Sequence, residues 1–88
     1  MKKMPKHLLD KQIEVTRQYW DGGGQAALNE MGFTSHKIEA VTGVCFCAAW
    51  DFVSSILKPS GFHPGADNEV IYSVLNVLGW EVVDEENL

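Results

Sequence analysis

The stretch VTGVCFCAAWDFVSSIL, residues Val41–Leu57, decides the fold of this chain. From Val44 to Val53 the single polar residue is Asp51, so the segment is apolar on every side. Such a run forms either a helix that is buried all round or an interior strand. Its length and the proline that follows favour the helix, and a strand over residues 44–53 stays open. The sequence therefore predicts a mainly α-helical, compact bundle of four to five helices around this buried central helix.

Length and composition point to one small domain. The 88 residues and the 45% hydrophobic content are enough for a single core. We expect one domain over residues 1–88, with a flexible basic start at residues 1–6 and an acidic tail at residues 84–88. The chain shows no apolar signal region and no apolar run of about 18 residues. With only two cysteines, a reducing, cytoplasmic location is expected, without a membrane.

The charge of the chain is unevenly distributed. Residues 1–17 hold five of the seven basic residues against two carboxylates, for a net charge of +3. Residues 18–88 hold the other two against ten carboxylates, for a net charge of −8. A surface this acidic repels a phosphate backbone except near the basic start. The expected partner is therefore another protein with a basic surface.

Helical spacing of apolar residues and the positions of glycine divide the rest of the chain into short elements. The predicted elements are an amphipathic helix over residues 6–20, a glycine turn at residues 22–24, a short helix over residues 25–31, a helix that starts near residue 36 and breaks at Gly43, a helix over residues 69–78, and a short extended segment at residues 80–83.

The segment QAALNEMGFTSHKIEAVT, residues 25–42, resembles the helix-turn-helix of small phage and bacterial regulators, and the resemblance covers residues 8–42. Gly32 permits the tight turn of that motif, and Ile38 locks its two helices together. The segment departs from the pattern at Leu28, where the family places a small residue, and it offers no arginine to a guanine edge. The resemblance implies an alternative function, a DNA-binding transcriptional regulator that contacts phosphates. The residues assigned to that alternative are Lys2, Lys3, Lys6, Lys11, Arg17 and Lys37.

The segment GVCFCAAW, residues 43–50, resembles the helix start that carries the nucleophile of papain-like cysteine hydrolases. The resemblance implies a further alternative, a cysteine-dependent hydrolase fragment that uses Cys45 or Cys47. That family places its histidine far downstream on a sheet, whereas the single histidine after these cysteines is His63. A cysteine in an apolar helix is more commonly a buried structural residue. We therefore predict buried cysteines, no catalytic residue and no enzyme.

Histidine and cysteine side chains also raise the question of zinc. The four candidate ligands are His36, Cys45, Cys47 and His63. A C-x-C pair with single histidines nine residues before and sixteen after matches no zinc finger or ribbon spacing. We predict no metal site and no cofactor.

Aromatic residues at the ends of the predicted elements, together with the acidic tail, are the candidate surface for a partner. Aromatic anchors with a charged rim are typical of protein interfaces. The residues assigned to partner binding are Trp20, Phe62, His63, Trp80, Asp84, Glu85 and Glu86. The chain is similar in size and charge to phage-encoded inhibitors that occupy a host protein's surface. The predicted function is therefore a non-enzymatic interaction protein, a regulator or inhibitor, and homo-oligomers are compatible with its aromatic surface.

Overall fold

The computed structural model describes residues 2–57 and 68–84. The described elements, in chain order, are strand β1 (Lys2–Pro5), helix α1 (Lys6–Gln18), a kinked turn (Tyr19–Gly23), helix α2 (Gly24–Thr42), helix α3 (Cys47–Ile56), helix α4 (Asn68–Val77) and strand β2 (Trp80–Val83). The radius of gyration is 12.3 Å, close to the value of about 12 Å for a compact chain of this length. The mainly helical, compact fold is confirmed. The predicted bundle of four to five helices is not confirmed, because β1 and β2 pair into a two-stranded parallel sheet.

Helices α1 and α2 form an antiparallel hairpin. Near the middle of α1, Gln12 Nε2 donates a hydrogen bond to Ser35 Oγ at 3.0 Å. One turn later in α1, the Thr16 hydroxyl lies 3.1 Å from Met31 Sδ, one turn earlier in α2. The two helices therefore run in opposite directions, with their polar contacts stacked along one seam.

The reversal between α1 and α2 takes place at the glycine triplet. Gly22 has a φ of 101° and Gly24 a φ of 63°, values that residues with a side chain rarely adopt. Gly23 is needed for space rather than for conformation. A methyl group there would lie 2.7 Å from the Gln18 carbonyl oxygen and 2.9 Å from Ala27 Cβ.

The turn predicted at Gly32 is wrong. Helix α2 runs without a break over Gly24–Thr42, and the Thr34 hydroxyl bonds the Glu30 carbonyl across Gly32 at 2.9 Å. One glycine costs a helix about 1 kcal/mol relative to alanine, and burial of Ile38 on the α1 side is large enough to offset that cost. A helix-turn-helix needs two helices joined by a turn, and this segment forms one helix.

The central apolar run forms a helix with one buried side, not a helix buried all round. The buried side chains of the run recur at intervals of four, three and four residues: they are Phe46, Trp50, Val53 and Leu57. Asp51 is exposed, and Phe52 is 55% exposed. Helix α3 starts only at Cys47, because α2 ends at Gly43, whose left-handed φ of 72° turns the chain away. The run is therefore an amphipathic helix whose outer face also carries apolar residues.

The start of the chain differs from the prediction of a flexible segment over residues 1–6. Lys2–Pro5 form β1, which pairs with β2 in parallel, with Lys2 opposite Trp80 and Pro5 opposite Val83. Met4 is fully buried in the core. The extended segment predicted at residues 80–83 is confirmed as β2.

Helix α4 is tied to α1 by a polar cluster at its first turns. Asp10 Oδ1 accepts hydrogen bonds from the Tyr72 hydroxyl and from Asn68 Nδ2. The oxygen of the same side-chain amide, Asn68 Oδ1, accepts a hydrogen bond from Arg17 Nη1 at 3.3 Å. Burial and the Asp10 carboxylate raise the pKa of Tyr72 to about 12.

No helix within the described residues is long and apolar enough to cross a membrane.

The two roles of glycine give a matched pair of variants. We expect Gly23→Ala to destabilise the fold by about 1–3 kcal/mol, because its methyl group overlaps Gln18 and Ala27. We expect Gly32→Ala to stabilise it by about 0.5–1 kcal/mol, because among the described residues nothing beyond the adjacent residues and the helix's own backbone lies within 4 Å of the new methyl group. Urea unfolding followed by circular dichroism measures both. A loss of stability in Gly32→Ala would contradict the continuous helix α2.

Candidate functional site

Two thiols and a carboxylate lie close together at the connection between α2 and α3. The Cys45 and Cys47 thiols and a carboxylate oxygen of Glu39 all lie within 4.8 Å of one another. Cys47 Sγ donates a hydrogen bond to Glu39 Oε1 at 3.3 Å. Both thiols are exposed, so the prediction of buried cysteines is wrong. We call these three residues the thiol–carboxylate cluster.

Local backbone geometry brings the cluster together. Gly43 caps α2 with a hydrogen bond from its N–H to the Glu39 carbonyl at 2.8 Å. The Thr42 hydroxyl donates to the Ile38 carbonyl at 2.8 Å and accepts from the Val44 N–H at 3.3 Å. These bonds fold the connection back over the last turn of α2. Glu39 therefore faces the start of α3.

Phe46, between the two cysteines, anchors the connection in the core. Its side chain is fully buried, stacks on Trp50 at 5.5 Å between ring centroids, and meets Trp80 edge-on at 5.7 Å. Its N–H donates to Glu39 Oε1 at 3.3 Å. Because Phe46 points inward, its neighbours Cys45 and Cys47 stand outside with their thiols at the surface.

The cluster shifts the pKa values of its members in opposite directions. The hydrogen bond to Glu39, with further contributions from Cys45, raises the pKa of Cys47 to about 11. The same thiol and the Phe46 N–H lower the pKa of Glu39. At neutral pH the cluster therefore holds an ionised carboxylate and a protonated Cys47 thiol.

This arrangement suits cation binding better than nucleophilic catalysis. A catalytic thiol needs a lowered pKa and a nearby base such as histidine, whereas Cys47 bonds a carboxylate that raises its pKa. Within residues 2–57 and 68–84, neither thiol is hydrogen-bonded to a histidine. Two thiols and a carboxylate are, in contrast, a ligand set that zinc accepts.

A second surface feature is a shallow groove between α4 and β2. Its lining residues are Tyr72, Ser73, Asn76 and Val77 from the helix, and Glu81 and Val82 from the strand. Successive side chains of a strand point to opposite faces of a sheet. A groove that touches both Glu81 and Val82 therefore lies along the edge of β2.

Backbone groups at this edge are not used by the sheet. The Lys2 N–H donates to the Gly79 carbonyl at 3.1 Å, and Lys2 stands opposite Trp80 in the register. In a parallel ladder a residue bonds the two neighbours of the residue opposite it, so the backbone groups of Trp80 and Val82 face away from β1. Asn76 Nδ2 approaches the Trp80 carbonyl at 3.5 Å. No described residue bonds the outward N–H or carbonyl of Val82.

The structure separates the residues assigned to partner binding. Trp80 is 1% exposed, so it is a core residue and not a surface anchor. Trp20 is half-buried and packs against the core beside Tyr19. Asp84 is exposed directly after β2. Four of the assigned residues lie outside the described ones: Phe62, His63, Glu85 and Glu86.

The residues assigned to nucleic-acid contact lie on three elements. Lys2 and Lys3 lie on β1, Lys6, Lys11 and Arg17 on α1, and Lys37 on α2. The Lys2 ammonium lies 4.9 Å from the centre of the Trp80 ring, and the Lys6 ammonium lies 5.9 Å from that of Tyr72. These two cations therefore contribute contacts within the fold as well as surface charge.

Sequence reasoning missed Glu39 and the edge of β2. Glu39 lies in the segment that was compared with a helix-turn-helix, so it was not considered with the cysteines. Its position four residues before Gly43, which ends the helix, places it in the last turn of α2, near the following thiols. The extended segment at residues 80–83 was predicted, but its pairing with β1 joins residues far apart in the chain, and no local pattern signals which edge that pairing leaves open.

Comparison of the chain with protein-family models, with curated proteins and with solved structures finds no match in any of the three. The described residues define a small, mainly helical protein with two surface features, the thiol–carboxylate cluster and the edge of β2.

Removal of the carboxylate should make the Cys47 thiol more reactive. We expect Glu39→Gln, in a Cys45→Ser background, to lower the pKa of Cys47 toward 9.0. The reason is that the hydrogen bond to the Glu39 carboxylate contributes most to the raised pKa of this thiol. A fall of about one unit gives about tenfold more thiolate at a pH below both values. The rate of alkylation by iodoacetamide near pH 9 measures the thiolate. Glu30→Gln, which removes an exposed carboxylate elsewhere on α2, is the control and should leave the rate unchanged.

Proposed function

We propose that this chain is a non-enzymatic interaction protein that binds an extended, positively charged segment of another protein along the edge of β2. The observation that supports this proposal is that no residue in the described part of the chain bonds the outward backbone groups of Val82, which lie at an open groove. An exposed strand edge is a template for an added strand, because main-chain hydrogen bonds supply affinity without a special sequence.

The small size of the sheet favours an added strand. Parallel sheets are usually buried and larger than two strands, and here both strands have only four residues. A third strand on β2 would use the Val82 N–H and carbonyl, and the α4 side chains Ser73 and Asn76 line the opposite wall of the groove. The groove thus offers backbone pairing on one side and polar side chains on the other.

The outer edge of β1 is a poorer docking site than that of β2. In the same parallel ladder the backbone groups of Lys3 and Pro5 face outward, and proline has no N–H to donate. Helix α2 also packs against β1. Of the two edges, β2 is therefore the one that can accept a strand.

Charge selects the chemistry of the added segment. Glu81 and Asp84 are exposed at β2, and Glu69 is exposed one turn before Ser73 on α4. Lys2 and Lys6 lie against aromatic rings, and Lys3 stands opposite Glu81 in the sheet. The whole chain nevertheless has a net charge of −5. These carboxylates attract a lysine- or arginine-rich segment and repel the same edge of a second copy.

Proline at position 82 tests the strand edge directly. A library of random peptides displayed on phage, selected on the intact protein, should yield basic peptides, and these should protect the Val82 amide from hydrogen exchange. We expect Val82→Pro to lower the affinity for such a peptide at least about tenfold, because it removes the outward N–H and obstructs pairing. Thermal unfolding should remain cooperative, since the bonds to β1 do not use that N–H.

Two controls separate the edge from the side chain and from the sheet itself. Val82→Ala keeps the N–H and should keep most of the affinity. Glu81→Pro removes an N–H that faces β1, so it should lower the thermal midpoint, in addition to any loss of affinity from the missing carboxylate. Equal affinity of a selected peptide for Val82→Pro and for the parent would show the proposal to be wrong. So would selection of acidic peptides, or concentration-dependent dimers that Val82→Pro abolishes.

A further inference from the structure

The thiol–carboxylate cluster has the composition of a metal site. Thiolates are soft ligands that select zinc and similar cations over magnesium or calcium. Glu39 adds a hard oxygen ligand that zinc also accepts. Cys45 and Cys47 are both exposed, so a cation reaches them from solvent without opening the core.

The distances are close to those that zinc requires. At a tetrahedral zinc ion, two thiolate sulfurs stand about 3.8 Å apart, and a sulfur and a carboxylate oxygen about 3.6 Å apart. In the structure the three ligand atoms already lie within 4.8 Å of one another. Cys47 Sγ and Glu39 Oε1 are 3.3 Å apart, so adjustments of about 1 Å or less, of the size that side-chain rotation provides, bring the three ligand atoms to the distances at zinc.

The backbone around the cluster is held in place from both sides. Phe46 fixes the positions of both neighbouring cysteines by its burial between Trp50 and Trp80. Its N–H bond to Glu39 Oε1 orients the carboxylate toward the thiols. Such supporting contacts are what metal ligands need to stay in a productive orientation. The Phe46 N–H and the Cys47 thiol both bond the same carboxylate oxygen, Oε1.

We infer that Glu39, Cys45 and Cys47 form a binding site for a single Zn²⁺ ion, with water in the fourth position. Binding replaces the proton that Cys47 shares with Glu39, so zinc uptake releases protons from the thiols. The site is an exposed one with three protein ligands, which favours exchange of the ion over permanent retention. It lies on the α2–α3 connection and does not depend on the proposed strand addition at β2.

Cobalt titration of the reduced, full-length chain tests this site. Co²⁺ bound by thiolates gives a near-ultraviolet charge-transfer band, and zinc should remove that band by displacement. We expect one metal per chain. Cys45→Ser and Cys47→Ser should each roughly halve the band and weaken zinc binding more than about tenfold, because each removes a direct ligand. Glu39→Gln should keep the band and weaken zinc about tenfold, and Glu30→Gln should change neither.

Three results would overturn the inference. They are the lack of a charge-transfer band in the reduced parent, unchanged zinc affinity in Glu39→Gln, and one metal shared by two chains. Far-ultraviolet circular dichroism shows whether each variant is folded, and replacement of the two exposed thiols by serine preserves their size. Peptide binding at β2 is measured separately, so failure of one proposal leaves the other intact.

Discussion

The contact of Phe46 with two tryptophans is the interaction on which the rest of the structure depends. Phe46 lies between Trp50 of α3 and Trp80 of β2, and all three side chains are buried. Burial of one such aromatic ring contributes about 1.5–3 kcal/mol, and each favourable ring pair adds about 0.5–1.5 kcal/mol. The buried Phe46 places the thiols of its two neighbours at the surface, and the buried Trp80 anchors β2 to the core. Both surface features therefore rest on one aromatic cluster.

The sequence predicted those parts of the fold that local chemistry determines. Spacing and glycine positions indicated the amphipathic first helix, the helix end at Gly43, the helix over residues 69–78 and the extended segment at residues 80–83. The turn predicted at Gly32 was wrong because glycine permits a turn without requiring one. The packing of α2 on α1 keeps this segment helical. The prediction of buried cysteines was wrong because the run around them is apolar on both faces. Composition therefore could not distinguish the buried face of the helix from the exposed one. Phe52, exposed on that same helix, illustrates the ambiguity.

The two candidate sites were harder to predict than the helices, because each depends on contacts between separate elements. The thiol–carboxylate cluster needs the left-handed turn at Gly43 to bring Glu39 back to the cysteines. The free edge of β2 exists as an edge only because Lys2–Pro5 occupy the other side. A segment with two lysines and a proline has weak strand propensity on its own, so periodicity could not reveal it.

The register of the sheet has a consequence for the order of folding. Every pair joins residues 78 positions apart, whereas α1 and α2 meet through one short turn. Local contacts form before distant ones, because closing a long loop costs more chain entropy. The helical hairpin can therefore assemble while the strands are still apart, and the pairing of Lys2–Pro5 with Trp80–Val83 comes late. During partial unfolding the same pairing is expected to open early, so a protein whose helices are still intact could already have lost its two-stranded sheet.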